Sequence, residues 1–201
     1  MHRKVLSLIF LTLFLVCGSV QAQTQTDDEA NLETHLYLLV GTNQDVVDSK
    51  LPSSLDSVMK QLRATLPFKN YRLAATLINR VKNEGRLNLG WIGTPLVTTI
   101  SPAQPTTRSS FQLRQIKLVR NSEGQSIVQM TGFVFNASIP IPTNAVASNA
   151  PGPPPVFNYE GTSLSTDVSM REGEPAIVGT LNIGPSGDAV ILVVSAKRTS
   201  K

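Results

Sequence analysis

Apolar side chains in this chain recur mostly at every second position, which is the period of a β-strand with one buried face. The run HLYLLV at 35–40, the segment from Tyr71 to Leu77 and the phrase FQLRQIKLVR all read as strands. The run from Ala189 to Ala196 is apolar throughout, which predicts a central strand covered on both faces. The pattern therefore predicts a chain built mainly of strands.

One segment follows the helical period instead. After Pro52-Ser53-Ser54, apolar residues recur three and four positions apart until Pro67, which ends the helix. These residues are Leu55, Val58, Met59, Leu62 and Leu66. We predict an α+β, mainly β fold, in which antiparallel, sandwich-like sheets are accompanied by one N-terminal amphipathic helix.

Turn signals separate the predicted strands. Asn83-Glu84-Gly85 predicts a hairpin that joins Tyr71–Leu77 to Arg86–Leu89, and the similar turn Asn121–Gly124 predicts a second hairpin between FQLRQIKLVR and SIVQMTGFVF. Further along, VFNYEG and TDVSM read as two separate short strands, followed by the strands EPAIVGTLNI and AVILVVSAKR.

The ends of the chain and one internal segment carry different compositions. Basic residues, an apolar run and small residues up to Ala22 predict a signal peptide at 1–22, whose apolar part is too short to span a membrane. The polar stretch 23–33 predicts a flexible leader, and 34–201 a single β-rich domain with an exposed, proline-rich loop at 140–155. Lipidation of Cys17 is the alternative to cleavage before Gln23.

Charge and cysteine content narrow the function classes. The chain has 18 Lys and Arg against 14 Asp and Glu, and removal of 1–22 takes away Arg3 and Lys4, so the mature balance of 16 minus 14 is only +2. We therefore expect no nucleic-acid partner. Cys17 is the only cysteine, so the mature domain has neither a disulfide nor a thiolate metal site.

The phrase GTLNIGPSGD at 179–188 has the glycine spacing of a phosphate-binding loop. A true phosphate loop continues with Lys and then Ser or Thr, and opens a helix. Here Pro185 and Ser186 follow Gly184, and an apolar strand comes next. The segment 184–187 therefore predicts a hairpin turn with Gly187 at positive φ.

Candidate catalytic and metal-binding residues are few. His35 is the only histidine of the mature chain and reads as a surface or edge imidazole. Glu172 and Glu174 in REGEP could form a carboxylate pair, although Gly173 and Pro175 favour a turn. We predict no catalytic residue, no cofactor and no metal, and hence a protein that is not an enzyme.

Two phrases carry a family resemblance. The order strand, helix, strand, strand from His35 to Leu89 resembles a small periplasmic module of bacterial secretins, and MREGEPAIVGTLNIG at 170–184 resembles part of the secretin core. Together they cover about a third of the chain, and Thr180 stands where secretins typically carry a second glycine. The resemblance implies an envelope protein that works by packing against other proteins.

The sequence thus predicts a non-catalytic exported protein, periplasmic or extracellular, with no transmembrane segment in the mature chain. It would act through contacts with an envelope protein or by self-association, in a secretion or surface assembly. The alternative is a carbohydrate- or ligand-binding β-domain, for which Trp91, Tyr71 and Tyr159 are the candidate stacking residues.

Overall fold

A computed structural model describes residues 31–45, 50–93, 96, 106–142, 156–183 and 187–199. Within them it contains nine strands, one α-helix and a 3-10 turn. The strands are β1 (Asn31–Thr42), β2 (Asn70–Lys82), β3 (Leu87–Gly93), β4 (Thr107–Leu113), β5 (Gln115–Arg120), β6 (Ser126–Pro142), β7 (Phe157–Arg171), β8 (Ala176–Ile183) and β9 (Asp188–Arg198). The 3-10 turn (Ser53–Leu55) leads into helix α1 (Asp56–Thr65).

The strands form two antiparallel sheets. Sheet A has the order β2-β1-β9-β8. In sheet B, β3 pairs with β4, β4 and β5 both pair with β6, and β7 pairs with the other side of β6. The predicted fold class, mainly β with antiparallel sheets and one amphipathic helix, is confirmed.

The core has two layers because the central strands of sheet A are buried on both faces. One face of β1 and β9 packs against the inner side chains of sheet B, with Leu38, Leu192 and Phe135 among the contacts. The opposite face packs against α1, whose Val58, Met59 and Leu62 are buried. The run 189–196 is buried except for the intermediate Ser195, as its uninterrupted apolar character predicts.

Helix α1 ends where the sequence indicates. Leu66 is already extended, as expected for a residue before proline, and its amide donates to the Leu62 carbonyl at 2.8 Å. The apolar stripe of the helix lies on sheet A, while its polar side faces outward.

The first predicted hairpin is wrong. β2 belongs to sheet A and β3 to sheet B, so the turn at 83–86 carries the chain from one sheet to the other. Its backbone pairs with β5: the Glu84 amide donates to the Ile116 carbonyl, and the Ile116 amide donates to the Gly85 carbonyl. Buried Asn83 accepts a hydrogen bond from the Leu118 amide. These bonds hold the turn against sheet B, and β3 therefore continues in that layer.

The second predicted hairpin is confirmed, with one change. β5 and β6 pair antiparallel around Asn121–Gly124, where Gly124 has a φ of +77°. The predicted strand FQLRQIKLVR is interrupted at Arg114 and forms β4 and β5. The break lies opposite Gly132 of β6, which has positive φ in an irregular stretch of that strand.

The C-terminal half contains one correction and one confirmation. VFNYEG and TDVSM are parts of one strand, β7, because Gly161 stays in register opposite Ser138 of β6 instead of making a turn. β8 and β9 form the hairpin that GPSG predicts, with Ile183 opposite Asp188 and Gly187 at a φ of +73°. Residues 184–186 lie outside the described part of the chain.

Two predicted segment boundaries differ from the structure. β1 begins at Asn31, so residues 31–33 of the predicted leader are strand, and Leu32 is completely buried. Pro140–Pro142 belong to β6, where Ile141 is buried opposite Asn158. The predicted signal peptide, residues 23–30 of the leader and residues 143–155 of the proline-rich segment lie outside the described residues.

Candidate binding surfaces

The outward face of sheet B is polar and lined by small side chains. Along β4, residues 107, 109, 111 and 113 are buried, so Arg108 and Ser110 point to the other side. By register, two rows then cross the sheet on its outer face. One row is Gly90, Ser110, Asn136 and Ser163, and the other is Ile92, Arg108, Ser138 and Gly161.

Because the side chains from β6 and β7 in these rows are short, a shallow groove of about 510 Å³ runs across β4, β6 and β7. The Asn136 amide donates to the Ser110 hydroxyl at 3.3 Å within it. Arg108 supplies the only charge in the two rows, and no carboxylate of the described residues lies within ion-pair distance of it. The groove is therefore a hydroxyl- and amide-lined surface with one cation.

The three predicted stacking residues are not brought together. Tyr71 is buried beneath α1, where its hydroxyl donates a hydrogen bond to the Leu62 carbonyl. Burial raises the pKa of this hydroxyl, and the nearby charge of Arg63 opposes the shift with a smaller effect. Trp91 packs into the core near Phe135. Tyr159 is 48% exposed and lies on the outer face of β7, two residues from Gly161. Ligand stacking stays a prediction, and only Tyr159 has its ring on the surface.

The edges of the sheets form a second kind of surface. In the described part of the chain, β2 and β8 bound sheet A, and β3, β5 and β7 bound sheet B, each pairing with one neighbouring strand. β7 is the longest of the five, at 15 residues. A strand edge exposes backbone amides and carbonyls that another strand can pair with.

His35 lies within sheet A and not at an edge, because β1 is flanked by β2 and β9. Its Nε2 donates to Glu33 Oε1 at 2.9 Å, and its Nδ1 is 3.0 Å from the Tyr37 hydroxyl. The hydrogen bond from His35, aided by nearby Lys197, holds the pKa of the Glu33 carboxyl below its usual value although desolvation opposes this. The interpretation of His35 as an edge imidazole is therefore corrected: it belongs to a half-buried polar cluster at the start of β1.

The two glutamates of REGEP serve different partners. The turn places Gly173 at a φ of +80° and carries the chain from sheet B to sheet A. Glu172 accepts hydrogen bonds from the Arg198 backbone amide at 2.8 Å, and from its guanidinium at 2.9 and 2.8 Å. Glu174 lies 3.8 Å from Arg171. The favoured interpretation, a turn, is confirmed, and Glu172 ties β9 to that turn.

One buried charge lies at the end of the sandwich. Asp188 is 1% exposed, and neither of its carboxylate oxygens has a hydrogen-bond partner among the described residues. Arg72 lies near enough to interact with it electrostatically, and burial lowers the pKa of the Arg72 guanidinium against that attraction. The Arg72 guanidinium donates to the Leu96 carbonyl at 2.7 Å.

No helix within the described ranges is long and apolar enough to cross a membrane. Across the same residues, no group of three or more His, Cys, Asp and Glu side chains is placed to hold a metal ion.

Sequence comparisons identify no relative, since no protein-family model and no curated protein sequence matches the chain. Solved structures give distant matches to secretins. The InvG secretin domain of the Salmonella SPI-1 injectisome is 11% identical, over 86% of this chain and 64% of that one, with a TM-score of 0.36. GspD, a type II secretin from enteropathogenic Escherichia coli, is 9% identical over 96% and 74%, with a TM-score of 0.42.

PilQ, the type IV competence pilus secretin of V. cholerae, is 11% identical over 86% of this chain and 58% of its own, with a TM-score of 0.35. The chain thus spans less than two thirds of the InvG and PilQ chains. All three matches are secretins, so the weak resemblance predicted from the sequence is confirmed as a distant likeness.

Proposed function

We propose that this protein is a non-catalytic, exported cell-envelope protein that works by pairing a sheet edge with another protein chain, either an envelope partner or a second copy. The observation that carries the proposal is the free side of β7, the side on which this 15-residue strand pairs with no strand of the described residues. Its place is the periplasm or the cell exterior, within a secretion or surface assembly.

β7 is the edge with the fewest features that discourage strand addition. Natural edges are protected by basic side chains, bulges, prolines or short length. β2 carries Arg72, Arg80 and Lys82, while β8 has an irregular register between Ile177 and Gly179 and is short. β3 has only seven residues, and β5 has six and carries Lys117 and Arg120.

β7, by contrast, contains no proline and no lysine. From Gly161 to Thr166 it carries only glycine, serine, threonine and leucine, with no charged residue. The β-branched threonines at 162 and 166 are of a residue type enriched in strands. An extended segment of another chain therefore finds a continuous row of backbone donors and acceptors there.

Crosslinking in cells followed by mass spectrometry tests this function on the full chain. We expect reproducible crosslinks from residues 157–171 to one other protein or to a second copy. Proline at Ser165 and, separately, at Thr166 provides the matched pair, because neighbouring amides of a strand point to opposite sides. One variant loses a bond to β6 and is destabilised, whereas the other removes only an outward amide.

The stably folded proline variant should lose the crosslinks. Crosslinks that persist in it would show that β7 does not hold the partner through its backbone. A population that stays monomeric and gives no crosslinks from 157–171 would refute the proposed function.

A further inference from the structure

The groove on the outer face of sheet B offers a chemistry that the proposed edge pairing does not use. We propose that it binds an acidic oligosaccharide, with Tyr159 against a sugar ring and Arg108 on the carboxylate. This site differs from the free side of β7, because its polar groups project from the face of the sheet.

The lining groups match a polyhydroxylated ligand. Ser110, Asn136, Ser138 and Ser163 present hydroxyl and amide groups that both donate and accept hydrogen bonds. Each sugar hydroxyl also both donates and accepts hydrogen bonds, so the groove can bind several hydroxyls of one ligand at once. Ordinary apolar ligands would leave these groups without partners, which costs binding free energy.

The exposed ring of Tyr159 and the open space at Gly161 favour a ligand that can place the flat face of a sugar ring against the sheet. Tyr159 precedes Gly161 by two residues and lies on the same face, about 7 Å away along the strand. No atom of the described residues lies within 4 Å of the place where a Gly161 side chain would begin, so the described part of the groove is open at that point. An exposed tyrosine beside an open polar groove provides an apolar ring with a polar tip.

Charge selects an acidic sugar over a neutral one. The cross-strand neighbours of Arg108 are Ile92 and Ser138, neither of which neutralises its guanidinium. The next row on this face, beside the one that contains Ser110, is also uncharged. It consists of Asn88, Gln112, Val134 and Ser165. A guanidinium among neutral groups binds a carboxylate through paired, charge-assisted hydrogen bonds.

Calorimetric titration of the full mature chain with oligogalacturonate tests the site, using a neutral malto-oligosaccharide of equal length and a short polyglutamate peptide as comparisons. We expect binding of the acidic sugar, at least tenfold weaker binding of the neutral one, and no saturable binding of the peptide. Amide chemical shifts should move at Ser110, Asn136 and Ser163.

Three variants separate the contributions of Arg108, of Tyr159 and of the open space at Gly161 to sugar binding. Arg108→Gln and Tyr159→Ala should each weaken binding of oligogalacturonate at least tenfold, and Gly161→Val should abolish it by filling the groove. Ser169→Val is the matched control, since it places the same side chain further along the exposed side of β7, and it should bind as the parent does.

Several outcomes would overturn the proposal: no binding of oligogalacturonate, equal binding of the neutral sugar, equal binding of polyglutamate, or an affinity that Gly161→Val leaves unchanged. Loss of binding in a Gly161→Val protein whose unfolding midpoint equals that of the parent would support it. The crosslinks expected from β7 are measured independently, so the two proposals can fail separately.

Discussion

Replacing Glu172 by Gln should weaken the junction at which the end of β9 meets the turn between β7 and β8. In the parent protein, the carboxylate accepts three hydrogen bonds from Arg198, one of them from its backbone amide. Arg198 also donates to the Ser126 hydroxyl, which links the junction to the start of β6. Glutamine keeps the shape and one accepting oxygen but removes the charge that pairs with the guanidinium.

The magnitude follows from the exposure of the two side chains, which is 17% for Glu172 and 39% for Arg198. A hydrogen bond to a charged group contributes roughly 1.5–3 kcal/mol, and an exposed ion pair contributes less than about 1 kcal/mol. This half-exposed junction lies between those cases. We expect the free energy of unfolding to fall by about 1–2 kcal/mol at pH 7.

The effect should depend on pH. Burial raises the pKa of Glu172, but the hydrogen bonds and charge of Arg198 outweigh it, so the pKa of the folded protein lies below the usual value. A carboxyl with a lowered pKa in the folded state contributes stability above its unfolded pKa of about 4.3. That contribution is lost as the pH falls through the folded pKa, where Glu172 becomes neutral like glutamine.

Urea unfolding at pH 7 and at pH 3 measures the difference between parent and variant. The matched control is Glu174→Gln in the same turn, whose carboxyl is 64% exposed and 3.8 Å from Arg171, so its effect should stay below about 0.5 kcal/mol. Equal stability of Glu172→Gln and the parent at pH 7 would refute the reasoning. So would a difference that persists unchanged at pH 3.

Three further predictions concern the ends and turns of the chain. Gly187→Val should lower the free energy of unfolding by roughly 1–3 kcal/mol in urea titrations, because valine disfavours a φ of +73°; an unchanged midpoint would contradict this. Starting the mature chain at Asn31 should leave the midpoint unchanged, whereas starting it at Thr34 removes buried Leu32 and should cost at least about 2 kcal/mol. Replacing residues 143–155 by a Gly-Ser linker of equal length should shift the melting temperature by less than about 3 °C in calorimetry, and a larger shift would mean that the segment packs on the domain.

The local elements could be predicted because their signals lie close together in the sequence. The helix from Asp56 to Thr65 and the two-sided strand β9 follow from the spacing of apolar residues over fewer than a dozen positions. Turn chemistry likewise located the β5–β6 and β8–β9 hairpins. In each case the partner strand is the next one along the chain.

Connections between layers could not be predicted in the same way. Two turn segments look alike in sequence, RVKNEG at 80–85 and LVRNSEG at 118–124. The first carries the chain from one sheet to the other, whereas the second closes a hairpin. The difference arises from the bonds between Glu84, Gly85 and Ile116, which are distant in sequence. A local turn signal indicates that the chain reverses and carries no information on which strand it will then pair with.

The candidate groove could not be predicted from the sequence either. Arg108, Asn136 and Gly161 are 25 or more positions apart in the chain, and only the register of β4, β6 and β7 brings them onto one face. Tyr159 was a candidate because of its residue type alone. Tyr71 and Trp91 share that type, and sequence could not distinguish the surface ring from the two that pack inside.

The pairing of β1 with β9 has a consequence for how this chain reaches its native state. The Thr199 hydroxyl and amide both donate to the Asn31 carbonyl, which joins residues 168 positions apart. Before β9 is present, sheet A consists only of the β1–β2 pair, because β8 joins the sheet solely through β9. A topology dominated by such distant contacts is expected to fold late and on the millisecond-to-second scale, as a single cooperative event rather than from the N-terminus onward.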